Sequence, residues 1–177
     1  MSKLVAYLFA GALLYQTFHW IEHGVQMYQH VLLSWPAAHS HGILFFLDFE
    51  WNHFVFNTGY LIVLIIVLYL LHRSFPSDSA KDSARIFLWI GVFLQGYHEI
   101  EHVIKIWQHI TTSCEPCPGI LGNFFDGVYV HFIFNTVVLI LPAITFFAYG
   151  FPIYLMNVVQ SLYQKGATNH PKIPPPL

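Results

Sequence analysis

The stretch HWIEHGVQMYQH, His19 to His30, lies within a run otherwise apolar enough for the interior of a lipid bilayer. At 100° per residue, His19, Glu22, His23, Gln26 and His30 fall within about a 100° arc of one helix face. HEIEHVIKIWQH, His98 to His109, repeats the arrangement with His98, Glu101, His102, Lys105 and His109. A charged or unpaired polar group facing lipid costs at least ~2.5–3.5 kcal/mol on insertion scales. Both polar faces must therefore turn inward, which predicts an all-α membrane bundle with a polar centre.

The composition points the same way. Of 177 residues, 56% are hydrophobic and 9% charged, and the mean hydropathy is +0.55. Soluble domains carry about 25% charged residues, so the chain reads as an integral membrane protein whose first partner is the lipid bilayer. Its net charge of −2 and scattered basic residues leave no footprint for nucleic acid. Phe, Tyr and Trp make up 18%, which suits aromatic belts at two interfaces.

Residues 4–33, 43–71, 86–110 and 128–147 form apolar runs, each long enough to cross ~30 Å of hydrocarbon at 1.5 Å per residue. They predict four transmembrane helices. Residues 151–163 follow a Gly-Phe-Pro break and carry Asn157 and Gln160, which predicts a short fifth helix, interfacial or a bent continuation of the fourth. The stretch from Lys165, ending KIPPPL, has no packing pattern and is expected to be disordered. Lys3 and Ala10-Gly11-Ala12 imitate a cleaved signal peptide, but cleavage would remove half of a helix that the repeat described next requires whole.

Aligning His19 on His98 matches Glu22 with Glu101, His23 with His102, Gln29 with Gln108, His30 with His109 and Gln16 with Gln95. Further on, GIL at Gly42 recurs at Gly119, Asp48 falls on Asp126, and HFVFNT at His53 returns as HFIFNT at His131. General hydrophobicity would not place the same polar residues at the same spacing. The expected organisation is two tandem parallel helix-loop-helix repeats, residues 1–72 and 86–150, related by an axis along the membrane normal. A cytoplasmic linker over 73–85, the short helix over 151–164 and the tail over 165–177 complete it. Lys3, then Arg73, Lys81 and Arg85, then Lys165 and Lys172 fall on one side, whereas residues 34–41 and 111–126 contain no Lys or Arg. Both termini are thus predicted cytoplasmic, in a multi-pass protein of the cell membrane.

Counting from the outer helix ends puts His23, His53, His102 and His131 in one layer, with His19 and His98 just deeper. Imidazole suits Zn, Cu and Fe, and the spacing His-x-x-Glu-His offers three ligands on one helical face, as carboxylate di-metal bundles do. The expected metal ligands are His19, Glu22, His23 and His53 in one half, and His98, Glu101, His102 and His131 in the other. Two glutamates near the axis would bridge a dinuclear centre; separate mononuclear sites are the simpler arrangement. Asn57, Asn135, Gln26, Lys105, His30 and His109 are expected to surround these ligands, with His39, His41, Asp48, Glu50 and Asp126 at the outer mouth. Cys114 and Cys117 are expected to form a local disulfide outside the cytoplasm, although their spacing also suits a thiolate pair. HEIEH at His98 further satisfies the zinc-protease pattern H-E-x-x-H. Glu99, however, is replaced by Trp20 in the first half and lies 100° off the histidine face.

These features predict a transition-metal centre of Fe, Cu or Zn in the outer half of the bilayer, serving redox or oxygen-dependent chemistry. A non-enzymatic metal-handling or transport protein, or an accessory subunit beside other membrane subunits, is the alternative from a different class. Haem or chlorin ligation in an electron-transfer bundle is the weaker cofactor reading, because it leaves Glu22 and Glu101 unexplained.

Overall fold

Long apolar runs in which proline is rare close their own backbone hydrogen bonds, and in this chain they become helices. The computed structural model describes residues 3–44, 50–75 and 79–168. It holds five α-helices: α1 Lys3–Val31, α2 Glu50–Ser74, α3 Ser79–Thr112, α4 Gly127–Ala148 and α5 Phe151–Thr168. No β-strand occurs among the described residues. α1, α2 and α4 are long and apolar enough to cross a membrane. α3 is the longest helix, yet His98, Glu99, Glu101, His102 and Lys105 dilute its apolar character.

Two boundaries differ from the sequence expectation. The polar stretch expected as a linker over 73–85 is largely helical, since α2 runs to Ser74 and α3 begins at Ser79. Lys81, Ala84 and Arg85 are strong helix formers, and Arg85 pairs with Asp82 one turn back. α5 likewise continues to Thr168, into the stretch expected to be disordered; residues 169–177 lie outside the described residues.

α1 packs against α2 and α4, and α3 packs against the same two helices, so the four form a ring. α5 turns back onto α4 and α1 after Gly150, whose φ of 69° only glycine adopts without strain. At this end of the ring the interior is apolar: Phe9, Leu64, Leu71, Leu88, Val138 and Phe151 are fully buried. Phe9 meets Phe146 and Phe151 edge-on, with ring centroids 5.4 and 6.0 Å away.

The opposite end carries the α1–α2 and α3–α4 connections, and both are fastened in the same way. Gln29 holds Gly42 through its side chain, donating from Nε2 to the carbonyl at 3.1 Å and accepting the backbone N–H at 2.9 Å. Gln108 holds Gly119 likewise, at 3.1 and 2.8 Å. Gly42 and Gly119 have φ of 75° and 68°, and a Cβ at either would overlap the carboxylate of Glu22 or Glu101. Positive φ and close approach both demand glycine there.

Truncating the apolar end should be costly. Phe9→Ala is expected to destabilise the detergent-solubilised protein by about 3–5 kcal/mol, whereas Phe18→Ala, on the outer surface, should change stability by less than about 1 kcal/mol; thermal unfolding of the two variants side by side checks this.

Candidate metal centre

Between the apolar end and the loops, the inward face of each of the four ring helices carries histidine. His19 and His23 stand one turn apart on α1, and His98 and His102 one turn apart on α3. α2 contributes His53 and α4 contributes His131. His19, His23 and His53 bring one ring nitrogen each within 4.8 Å of one another, and His98, His102 and His131 do the same. Each group has the ligand spacing of a metal site.

The nitrogens are aimed rather than merely close. His23 Nε2 faces His19 Nε2 at 3.2 Å, and His102 Nε2 faces His98 Nε2 at 3.1 Å. Two neutral imidazoles facing so share either one proton or one ion. Around an ion with M–N bonds of about 2.1 Å these separations correspond to an N–M–N angle of about 100°, between the octahedral and tetrahedral values. The ring orientations are fixed from behind. His23 donates from Nδ1 to Gln26 Oε1 at 2.6 Å, and His102 donates from Nδ1 to the Glu50 carboxylate. Both bonds turn Nε2 toward the centre. His19 stacks on Phe56 at 4.5 Å and His98 on Phe134 at 5.2 Å.

The triads touch each other across the ring. The centroids of His23 and His131 are 5.4 Å apart, those of His53 and His102 5.8 Å, and those of His53 and His131 6.3 Å. Six imidazoles thus make one cluster, five of them buried and His131 half-buried.

Glu22 and Glu101, expected as ligands, join neither triad. Glu22 Oε1 accepts from the N–H of Leu44 at 2.9 Å, and Glu101 accepts from those of Ile120 and Leu121 at 2.7 and 3.1 Å. The reason is angular: in His-x-x-Glu-His the glutamate lies about 80° from the bisector of the two histidines, which turns it to where the connection returns. Glu50, expected at the outer mouth as part of an entry path or of the ligands' surroundings, reaches His102. It lies in the first turn of α2, where a helical wheel of α2 alone gives no sign of a partner on α3.

The surrounding residues separate into two levels. Asn57 Nδ2 donates to His102 Nε2 at 3.1 Å, and Lys105 Nζ donates to His131 Nε2 at 3.0 Å. One turn deeper, Gln16 donates to Asn135 at 2.7 Å and Gln95 to Asn57 at 2.8 Å, joining α1 to α4 and α2 to α3. His30 and His109 instead serve the connections, donating from Nδ1 to the carbonyls of Trp35 and Cys114. His30 also pairs with Asp126. A disulfide joins Cys114 to Cys117. Asp48 lies outside the described residues. Glu99 accepts from Thr58 Oγ1, away from the histidines, just as Trp20 at the equivalent position of α1 donates to Thr136 Oγ1 at 2.9 Å. A zinc-protease base would have to face the ligands, and Glu99 does not.

A cavity of about 630 Å³ descends from the loops to this cluster. His39, His41 and His109 line its mouth, and Gln26, Glu50, Lys105, His53 and His131 line its floor. Below the floor come the Gln–Asn pairs and then the apolar end. No family model matches this chain, and comparison with curated proteins and with solved structures likewise finds no match.

Because Glu101 holds the second connection by charge-assisted hydrogen bonds, each worth roughly 1.5–3 kcal/mol, Glu101→Gln should free that loop. Hydrogen exchange at the Ile120 and Leu121 amides is expected to accelerate by at least about tenfold, while amides in the middle of α4 keep their rates.

Proposed function

We propose that this is an integral membrane protein in which a ring of four helices holds a histidine-ligated transition-metal centre for redox or oxygen-dependent chemistry. The observation that carries the reading is the aim of the Nε2 atoms: two converging histidine triads, with ring orientations set by Gln26 and Glu50, at the floor of a cavity. Three nitrogens meeting from one side suit an ion, whereas a haem requires opposed imidazoles with room for a macrocycle between them. Imidazole sets suit Fe, Cu and Zn, and bound Fe or Cu would supply one-electron chemistry. The chain's own part is to fix the ligands, to exclude water from one end and to admit a small substrate from the other.

Transport across the bilayer fits less well. Beneath Gln16 and Gln95 the interior is filled by Phe9, Leu64, Leu88 and Val138, all fully buried. That apolar filling gives an ion no ligands on the way through, so the centre communicates with the loop end.

In this reading α3 also spans the membrane, sheltered by the ring, and residues 1–72 and 86–150 are tandem parallel repeats. The matched Gln–Gly loop clamps, the Glu22 and Glu101 loop contacts and the paired Gln–Asn bonds support that organisation. The loop end faces outward and both termini face the cytoplasm, in keeping with the distribution of Lys and Arg.

Elemental analysis of the full chain purified in detergent should find a bound transition metal, and His23→Ala should abolish it. A metal-free wild type, or one with a Soret band, would sink the reading. For orientation, single cysteines at Ala38 and Ser79 are expected to label from outside and from the cytoplasm respectively, and reversed labelling would overturn the proposed topology.

A further inference from the structure

The two triads are alike in their histidines but not in what surrounds them. Where α1 has Gln26, α3 has Lys105, and the ammonium lies 3.0 Å from His131 Nε2. Lys105 is itself buried, with 7% of its surface exposed. Its countercharge comes from α2: Glu50 Oε2 is 3.8 Å from Lys105 Nζ, and its other oxygen accepts a hydrogen bond from His102 Nδ1. The position matching Glu50 in the second half is Val128, which is uncharged. Lys105 and Glu50 are thus two departures from the repeated pattern that neutralise each other at one triad.

We infer that the ammonium of Lys105 takes the place of a second ion, so that the protein binds one transition-metal ion, on His19, His23 and His53. Two of the three nitrogens in the other triad are engaged by donors of the chain itself: His131 Nε2 by Lys105 and His102 Nε2 by Asn57 Nδ2 at 3.1 Å. His98 Nδ1, buried, has no hydrogen-bond partner among the described residues to set its ring. A divalent ion there would have to displace the ammonium from the lone pair of His131 Nε2, and the two cations would repel in a medium that screens poorly. At the first triad the matching position is a neutral amide that accepts from His23 and leaves its Nε2 directed inward. The repeat supplies two nests of imidazole, and one charge substitution, balanced across the helix interface, closes one of them to metal.

This inference rests on the metal-centre reading, and the count of ions separates the two. The detergent-purified full chain, stripped of metal, is titrated with Co²⁺ while the ligand-field absorbance of the bound ion is followed. One tight equivalent is expected for the wild type and two for Lys105→Gln, in which Glu50 remains to favour the second cation. Lys105→Met, which removes the charge without adding a new polar group, should also take two equivalents. A wild type that takes two equivalents would overturn the inference and leave the metal centre standing, as would a folded pair of Lys105 variants that stay at one. A wild type that takes none would remove the metal centre itself, and this inference with it.

Discussion

An imidazole buried among apolar side chains has two nitrogens and, when neutral, one proton, and each must be accounted for without water. Six such rings in one cluster impose that condition on every helix of the bundle. The chain meets it for His23 within α1, through Gln26, and for two others across helices, with Glu50 and Asn57 of α2 assigned to His102 and Lys105 of α3 to His131. These partners come from α1, α2 and α3, so the ring of helices is the arrangement in which the histidines can be satisfied. A looser packing would leave buried polar groups unpaired, at about 1–3 kcal/mol each.

The same condition divides the molecule along its length. Polar residues are concentrated where they have partners, and the other end is built from Phe9, Leu64, Leu71, Leu88 and Phe151 with nothing to hydrogen-bond. The loops are fastened to the polar half by glutamines and glutamates rather than by packing. That fastening keeps the 630 Å³ cavity framed by backbone fixed at Gly42 and Gly119. A rigid rim over a cluster of basic nitrogens is what a site needs if it is to meet its ligand from one direction.

Much of this was legible in the sequence because helical periodicity is a local property. The inward face of His19, His23, Gln26, and of His98, His102, Lys105, follows from 100° per residue, and HFVFNT and HFIFNT placed His53 and His131 opposite. What was not legible depends on the path of the chain between helices. Glu22 and Glu101 share the histidine spacing of metal-binding bundles, but only the returning left-handed turns at Gly42 and Gly119 reveal that loop amides claim them first. Glu50 was invisible as a partner of His102 because a contact between α2 and α3 leaves no mark on either helix alone. The charged residues of α3 take on meaning only once three other helices surround them.

The bonds from Gln16 to Asn135 and from Gln95 to Asn57 bear on how the protein is made. Asn57 and Gln16 leave the ribosome in the first helix pair, whereas their partners Gln95 and Asn135 follow in the second. Until α3 and α4 follow, Gln16 and Asn57 lack these partners on the later helices. Two separately synthesised helix pairs would present complementary amides to one another, which makes a split of the chain between Ser74 and Ser79 a natural place for the halves to find each other as fragments.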